Sequence, residues 1–292
     1  MGLQDIAKLR EMTGAGMMDC KNALDESGGD LEKATDILRK KGIVKAAKRA
    51  GKVAAEGAVK VKAEGNFACV LEINSETDFV AKNEQFQTFV TEILDHLPKA
   101  KPANLEVALA GQMENGKTVE EYITENSGQI GEKISLRRFE ILEKGDSDSF
   151  GAYLHAGGSI GVLSLVKDLK DDDLAKDISM HIAASNPKYL KKEEVSVEDL
   201  KKEEEIYREQ LKTQGKPENI IDGIIKGKMN KYYSENCLMQ QAFIKDEDKT
   251  ITQVLKESGS EGTTVEKFTR FELGSGIEKE ECDYVKEIEA QM

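Results

Sequence analysis

A pattern of two strands, a helix and a closing strand occurs twice in this chain, and that recurrence restricts the fold more than any other feature of the sequence. In the first copy, Ala58-Val59-Lys60-Val61-Lys62 and Phe67-Ala68-Cys69-Val70-Leu71-Glu72-Ile73 show the period of two that marks strands, around the turn Ala63-Glu64-Gly65-Asn66. A helix over 83–97 follows, with Phe86, Phe89, Val90, Ile93, Leu94 and Leu97 at three-and-four spacing, then polar segments and a strand at Ile134–Leu142. The second copy runs through Phe150–His155, a Gly157-Gly158 turn, Ile160–Val166, and a helix containing Leu174, Ile178, His181, Ile182 and Ala183, to a strand at Thr269–Leu273. The closing strands carry Arg138-Phe139-Glu140 and Arg270-Phe271-Glu272. An internal duplication follows: an α+β chain whose core is two similar hairpin-helix-strand subdomains.

The joint between strand and helix in the first copy, Thr77-Asp78-Phe79-Val80, breaks a rule of turn chemistry. Turns favour small polar residues, yet a phenylalanine stands here beside an acid. It is either a staple that closes the turn or a probe for another molecule. The sister joint is Asp168-Leu169-Lys170-Asp171, which reads as an ordinary polar turn with no aromatic residue. A staple needed in one copy should have a counterpart in the other, so the probe reading gains. Asp78 reads equally as the N-cap of the turn.

Residues 1 to about 43 read as three short helices. Leu3, Ile6 and Leu9 line the first, Thr13-Gly14-Ala15-Gly16-Met17-Met18-Asp19 is the loop, and Asp30 caps the third, with Leu31, Ala34, Ile37 and Leu38. The glycine spacing fits neither GxGxxG nor GxxxxGK[ST], and no strand precedes it, which leaves a tight interhelical turn. One of Met17 and Met18 is expected to fill the small core and the other to face outward. The unit resembles the ubiquitin-associated three-helix fold, in which glycine and methionine of the first loop form a binding edge. Arg39 to Lys52 is basic throughout, a solvated helix or linker that closes the module.

The second subdomain is interrupted over 187–233. Val197, Leu200, Glu204, Tyr207 and Leu211 form one stripe, Gly215-Lys216-Pro217 turns the chain, and Ile220, Ile221, Ile224, Ile225 and Met229 return it. This predicts a projecting helical hairpin, its stripe serving its own packing first and a homodimer contact second. The end, acidic with Tyr284, Val285 and Ile288 on one face, reads as a helix. The expected domains are residues 1–53 (three-helix module), 54–144 and 145–279 (core subdomains, the latter carrying the 187–233 insertion), and 280–292 (C-terminal helix).

Composition excludes several functions. With 42 basic and 55 acidic residues the net charge of −13 opposes nucleic acid and anionic membranes. No run of about 18 apolar residues occurs, and Met1-Gly2-Leu3-Gln4-Asp5 is no signal peptide, so a cytoplasmic location is expected. Cys20, Cys69, Cys237 and Cys282 form no CxxC pair, and His96, His155 and His181 have no metal-ligand spacing. Neither GxSxG nor a nucleotide loop is present. No enzyme, metal or cofactor is expected, and function is sought in protein binding.

Two stretches carry a specific likeness. Leu9-Arg10-Glu11-Met12-Thr13-Gly14-Ala15-Gly16-Met17-Met18-Asp19-Cys20-Lys21 and Glu72 through Lys82, in this order and separation, resemble the two signatures of the bacterial elongation factor Ts family. His155–Leu163, Met180–Pro187 and Arg270–Lys279 support it along nearly the whole length. The resemblance implies a guanine nucleotide exchange factor that binds elongation factor Tu with GDP and promotes its release. It implies further that Thr77, Asp78, Phe79 and Val80 are directed toward the partner's magnesium site, and that Met17, Met18 and His155 make further contacts. Two other readings compete: an adaptor that binds protein partners through the three-helix module, and an enzyme using a cleft between subdomains, which no constellation of residues favours.

Overall fold

The computed structural model of the chain describes residues 2–278. The C-terminal helix expected over 280–292 lies outside them. Three helices open the chain: α1 (Leu3–Thr13), α2 (Met17–Glu26) and α3 (Leu31–Arg49). Ile6, Leu9, Ala15, Cys20, Ala23, Leu24 and Ala34 form their core. The Asp30 side chain accepts the Glu32 and Lys33 amides, so the third helix starts where the sequence places its cap. It ends later than expected, at Arg49, because the basic stretch continues the helix and ties it back through Lys41–Glu26 and Lys45–Asp19 ion pairs at 2.5 and 2.9 Å.

The first repeat comprises β1 (Glu56–Glu64), β2 (Phe67–Ser75), the single turn α4 (Asp78–Ala81), α5 (Glu84–Ala100), α6 (Leu105–Ala110), α7 (Val119–Ile130) and β3 (Ser135–Glu143). Helices α6 and α7 occupy what the sequence presents as polar segments. The Thr118–Glu121 capping box that starts α7 is legible in hindsight. The second repeat comprises β4 (Ser149–His155), β5 (Ile160–Lys167), α8 (Asp172–Ser185), the insertion α9 (Val197–Thr213) and α10 (Glu218–Asn236), then β6 (Ala242–Phe243), β7 (Asp246–Thr250), α11 (Ile251–Ser258) and β8 (Thr264–Glu272). No element is expected from the sequence over 242–258, where β6, β7 and α11 lie.

Both repeats build a three-stranded sheet of the same order, β1-β2-β3 and β4-β5-β8, as a duplication requires. Both middle strands are buried on the two faces, even at Glu72 and Asn74, where alternation suggested a single apolar face. Contacts divide the chain into two compact units. One contains the chain up to Lys60, Leu71–Ile141 and the described residues from Phe271; the other contains Val61–Val70 and Leu142–Arg270.

Within the first unit, α3 and α7 meet at Gly42 and Gly128. A Cβ added to Gly128 would stand 2.6 Å from the Gly42 Cα and carbonyl oxygen, whereas one on Gly42 would lie 3.7 Å from the Gly128 Cα. The contact is therefore one-sided. Gly42→Ala is expected to be neutral or slightly stabilising through helix propensity, while Gly128→Ala costs about 1–3 kcal/mol as two backbones are forced apart. Chemical denaturation of the two variants measures this, and equal stabilities would refute it.

Within the second unit, Val162, Val166, Leu169, Ile178, Ile182, Leu238, Ile251, Leu255 and Val265 share one core. His181 is buried there as a neutral ring: it faces Gln241 Oε1 at 2.9 Å through Nε2 and accepts the Ile244 amide at Nδ1, at 3.3 Å. Burial pushes its pKa down, and the Gln241 contact only partly offsets that. The insertion is the expected helical hairpin. Leu211, Ile221, Ile225, Met229 and Tyr232 pack with Val195 and Cys237 at its base, and Leu200 and Tyr207 lean on them. The base is fixed by the Tyr189–Cys237 bridge and the Leu238 amide donating to the Tyr189 carbonyl at 2.9 Å. Val197 stands outside the packed stripe, exposed at the mouth of α9.

Candidate functional site

Strand β2 ends at Ser75, and the next few residues are held from beneath. The amides of Glu76 and Thr77 donate to Glu132 Oε2 at 3.1 and 3.0 Å, and the Thr77 hydroxyl donates to Glu132 Oε1 at 2.6 Å. In return, the Lys133 amide donates to Glu76 Oε1 at 2.6 Å, and Arg49 Nη1 reaches both Glu76 oxygens at 3.0 and 2.8 Å. Thr77 Oγ1 also accepts the Val80 amide at 3.4 Å, which makes Thr77, not Asp78, the N-cap of α4. Asp78 occupies the first helical position instead and pairs with Lys82 at 2.7 Å. That hydrogen bond, with the lysine's charge, lowers the Asp78 pKa and raises that of Lys82.

Asn83 then caps α5 by accepting the Gln85 and Phe86 amides, and Gln87 Nε2 donates to the Ala81 carbonyl at 2.6 Å. A single helical turn is thus anchored at both ends, with Phe79 on its outer side and 82% exposed. Val80 is half-buried beneath it.

The sister joint behaves in the opposite way. Leu169, read from the sequence as part of a polar turn, is 1% exposed and belongs to the core. Asp168 before it takes a φ of 53° and donates its amide to Asp148 Oδ1 at 3.2 Å, a backbone excursion that turns the leucine inward. The second copy therefore does carry an apolar staple, of a kind the absence of an aromatic residue concealed; the first copy carries an outward ring.

Met17 and Met18 lie at the start of α2, 57% and 65% exposed, so neither fills the module's core as one was expected to. The inward positions of α2 are taken by Cys20, Ala23 and Leu24, one turn further on. Leu3 and Met12 of α1 are exposed as well, and Leu3 and Met17 line one shallow depression. The loop before them is seated on the start of α5 and the end of α7, where Gln85 Nε2 donates to Gln129 Oε1 at 2.9 Å beside Gly14. His155 ends β4 in the second unit, exposed, with Nδ1 at 3.2 Å from the Tyr153 hydroxyl and Leu154 also exposed beside it. The tip after it, Ala156-Gly157-Gly158, runs entirely at positive φ.

Among the described residues no group of three or more His, Cys, Asp and Glu could hold a metal ion, and no helix is long and apolar enough to cross a membrane. The turn offers an anchored, exposed apolar side chain beside an ion pair.

The family model described as Elongation factor TS matches residues 76–275, about two thirds of the chain, starting one residue before this turn. The chain belongs to the elongation factor Ts family. Members of this family are nucleotide exchange factors whose partner is elongation factor Tu, and they carry out no covalent chemistry of their own. Glu132, Arg49 and Lys133, which seat the elongation factor Ts turn here, escaped the sequence reading. They lie 27 to 57 residues from their partners, beyond any local pattern.

Proposed function

We propose that this protein releases GDP from elongation factor Tu by pressing Phe79 and its turn, Thr77 to Val80, between elements that hold the partner's Mg²⁺ and phosphates. The observation that carries the reading is the outward ring on an anchored turn, against the inward leucine of the sister joint. In a GTPase the metal bridges nucleotide phosphates to protein ligands while backbone amides cradle the phosphates. A ring inserted among those elements displaces ligands without touching the nucleotide.

Magnitude sets the division of labour. Weakening nucleotide binding by about 10⁴ needs about 5.5 kcal/mol of preference for the empty state. Burying one phenylalanine contributes about 1.5–3 kcal/mol. The remainder comes from other contacts, for which the exposed Met17–Met18 edge and the His155 hairpin are the surfaces on offer. Coupling is reciprocal, so nucleotide expels the factor as strongly as the factor expels nucleotide. A homodimer through the insertion would rest on Val197, Ile206 and Ile220, the apolar positions its own packing leaves exposed.

The test uses elongation factor Tu loaded with labelled GDP. Adding the protein is expected to accelerate label loss, and excess Mg²⁺ to slow the accelerated phase, since metal and ring compete for one arrangement of ligands. Loss at the spontaneous rate would remove exchange activity. Acceleration indifferent to Mg²⁺ would remove the proposed route.

A further inference from the structure

Nothing in the packing of Phe79 fixes where the ring points; its position is inherited from the residues under it. The loop between α7 and β3 supplies that seat. Glu132 receives three hydrogen bonds from the turn, the Glu76 amide, the Thr77 amide and the Thr77 hydroxyl, at 3.1, 3.0 and 2.6 Å. The last has a directional consequence. Because the Thr77 O–H is committed to Glu132, its lone pair is free to accept the Val80 amide, the N-cap bond that closes the helical turn carrying the ring. Hydrogen bonds to a carboxylate are shorter and stronger than neutral ones.

The loop is itself tied by hydrogen bonds. Ser127 Oγ donates to the Glu132 carbonyl at 2.5 Å, and the Gly131 amide donates to the Ser127 carbonyl at 2.8 Å, closing α7. Glu76 returns the bond by accepting the Lys133 amide, so two carboxylates interlock, each binding an amide of the other's segment. Arg49, the last residue of α3, holds Glu76 from the three-helix module.

We propose that Glu132 is a positioning residue for nucleotide exchange: it fixes the Thr77 cap and through it the direction in which Phe79 is presented. This rests on the reading of Phe79 as the inserted group. Without Glu132 the Thr77 hydroxyl and two amides turn to water, and the one-turn helix, too short to persist alone, samples other conformations. The ring then enters the partner's site in only a fraction of encounters. Binding through other surfaces is unaffected, so the effect falls on the maximal release rate rather than on the concentration for half-saturation.

The experiment follows label release from elongation factor Tu loaded with GDP, across concentrations of the wild type, Glu132→Ala, Glu132→Gln, Phe79→Ala and the double variant Glu132→Ala/Phe79→Ala. Glu132→Ala is expected to lower the maximal rate about tenfold with half-saturation within about twofold. Glu132→Gln, which keeps the shape and one acceptor oxygen, is expected to fall between and covers the case of an alanine variant that fails to fold. In the Phe79→Ala background, Glu132→Ala is expected to change the rate no further.

A slow Phe79→Ala with Glu132 variants at full rate overturns the positioning role and leaves the inserted ring standing. A Phe79→Ala at full rate removes the inserted ring itself. Equal losses from Glu132→Ala in both backgrounds would show that it acts independently of the ring, which also overturns the proposal. A lowered melting temperature with an unchanged rate per folded molecule would assign Glu132 to stability alone.

Discussion

Phe79→Ala is expected to lower the maximal rate of GDP release from elongation factor Tu by tenfold or more, with the variant still folded and still associating with its partner. Stability is spared because the ring is 82% exposed and the turn beneath it is held by Glu132, Glu76 and Thr77, none of which touches the deleted atoms through a hydrogen bond. The rate suffers because a buried phenylalanine is worth about 1.5–3 kcal/mol and each 1.4 kcal/mol is about a factor of ten. If that burial occurs only when the nucleotide site is deformed, its loss falls on the release step and not on encounter. Stopped-flow release of labelled GDP at saturating factor, beside a thermal melt and a pull-down, separates these outcomes. An unchanged release rate would eliminate the ring as the inserted group; a collapsed melting temperature would show it to be a staple after all.

Glu72→Gln is expected to destabilise the fold by about 3 kcal/mol near neutral pH, the lower end for breaking a buried ion pair. The Glu72 carboxylate is fully buried and accepts Arg138 Nε at 2.6 Å, Arg137 Nη1 at 2.9 Å, the Gly274 amide at 2.9 Å and Asn74 Nδ2 at 3.0 Å. The arginines continue to the Ser275 and Glu272 carbonyls, and Arg138 lies 4.4 Å over the Phe271 ring. One carboxylate thus joins β2, β3 and the chain leaving β8. The lower end of the range applies because the two arginine side chains are 27% and 33% exposed and regain water when the glutamate is neutralised.

The pH dependence has a definite sign. Burial alone would raise the Glu72 carboxyl, but hydrogen bonds from Gly274, Asn74 and Arg137 and the Arg138 charge outweigh it and hold the pKa below the ordinary 4.5. The folded state therefore binds this proton less tightly than the unfolded chain. Its contribution is complete above the unfolded value and is lost as pH falls through the lower folded value. Urea denaturation near pH 7 and near pH 3 should show the gap between wild type and Glu72→Gln narrowing in acid. A gap that stays constant, or one under about 1 kcal/mol at neutral pH, would refute the role of the charge.

The two copies of the hairpin-helix-strand unit were legible because their information is local. A strand declares itself within half a dozen residues and a helix such as α5 within three turns, and Asp30 caps the helix that follows it by chemistry written next door. Phe79 stood out for the same reason, a ring where a turn expects a small polar group. The helical hairpin declared itself through the three-and-four spacing that now forms its core.

What no local pattern carried is which way a side chain faces once distant segments arrive. Phe79 and Leu169 occupy related joints; one is outward and one is core, and the difference lies in an Asp168 backbone at positive φ and in a seat made by Glu132 and Arg49. Met17 and Met18 had the chemistry of core residues and lost the core to Cys20, Ala23 and Leu24. The Gly42–Gly128 approach of α3 and α7 is equally silent in the sequence, since the absence of a side chain announces nothing about what comes near it. Periodicity is set by bonds within a segment and survives translation into one dimension. Burial, ion pairing and close approach are set by the packing of segments tens of residues apart, so only the folded chain decides them.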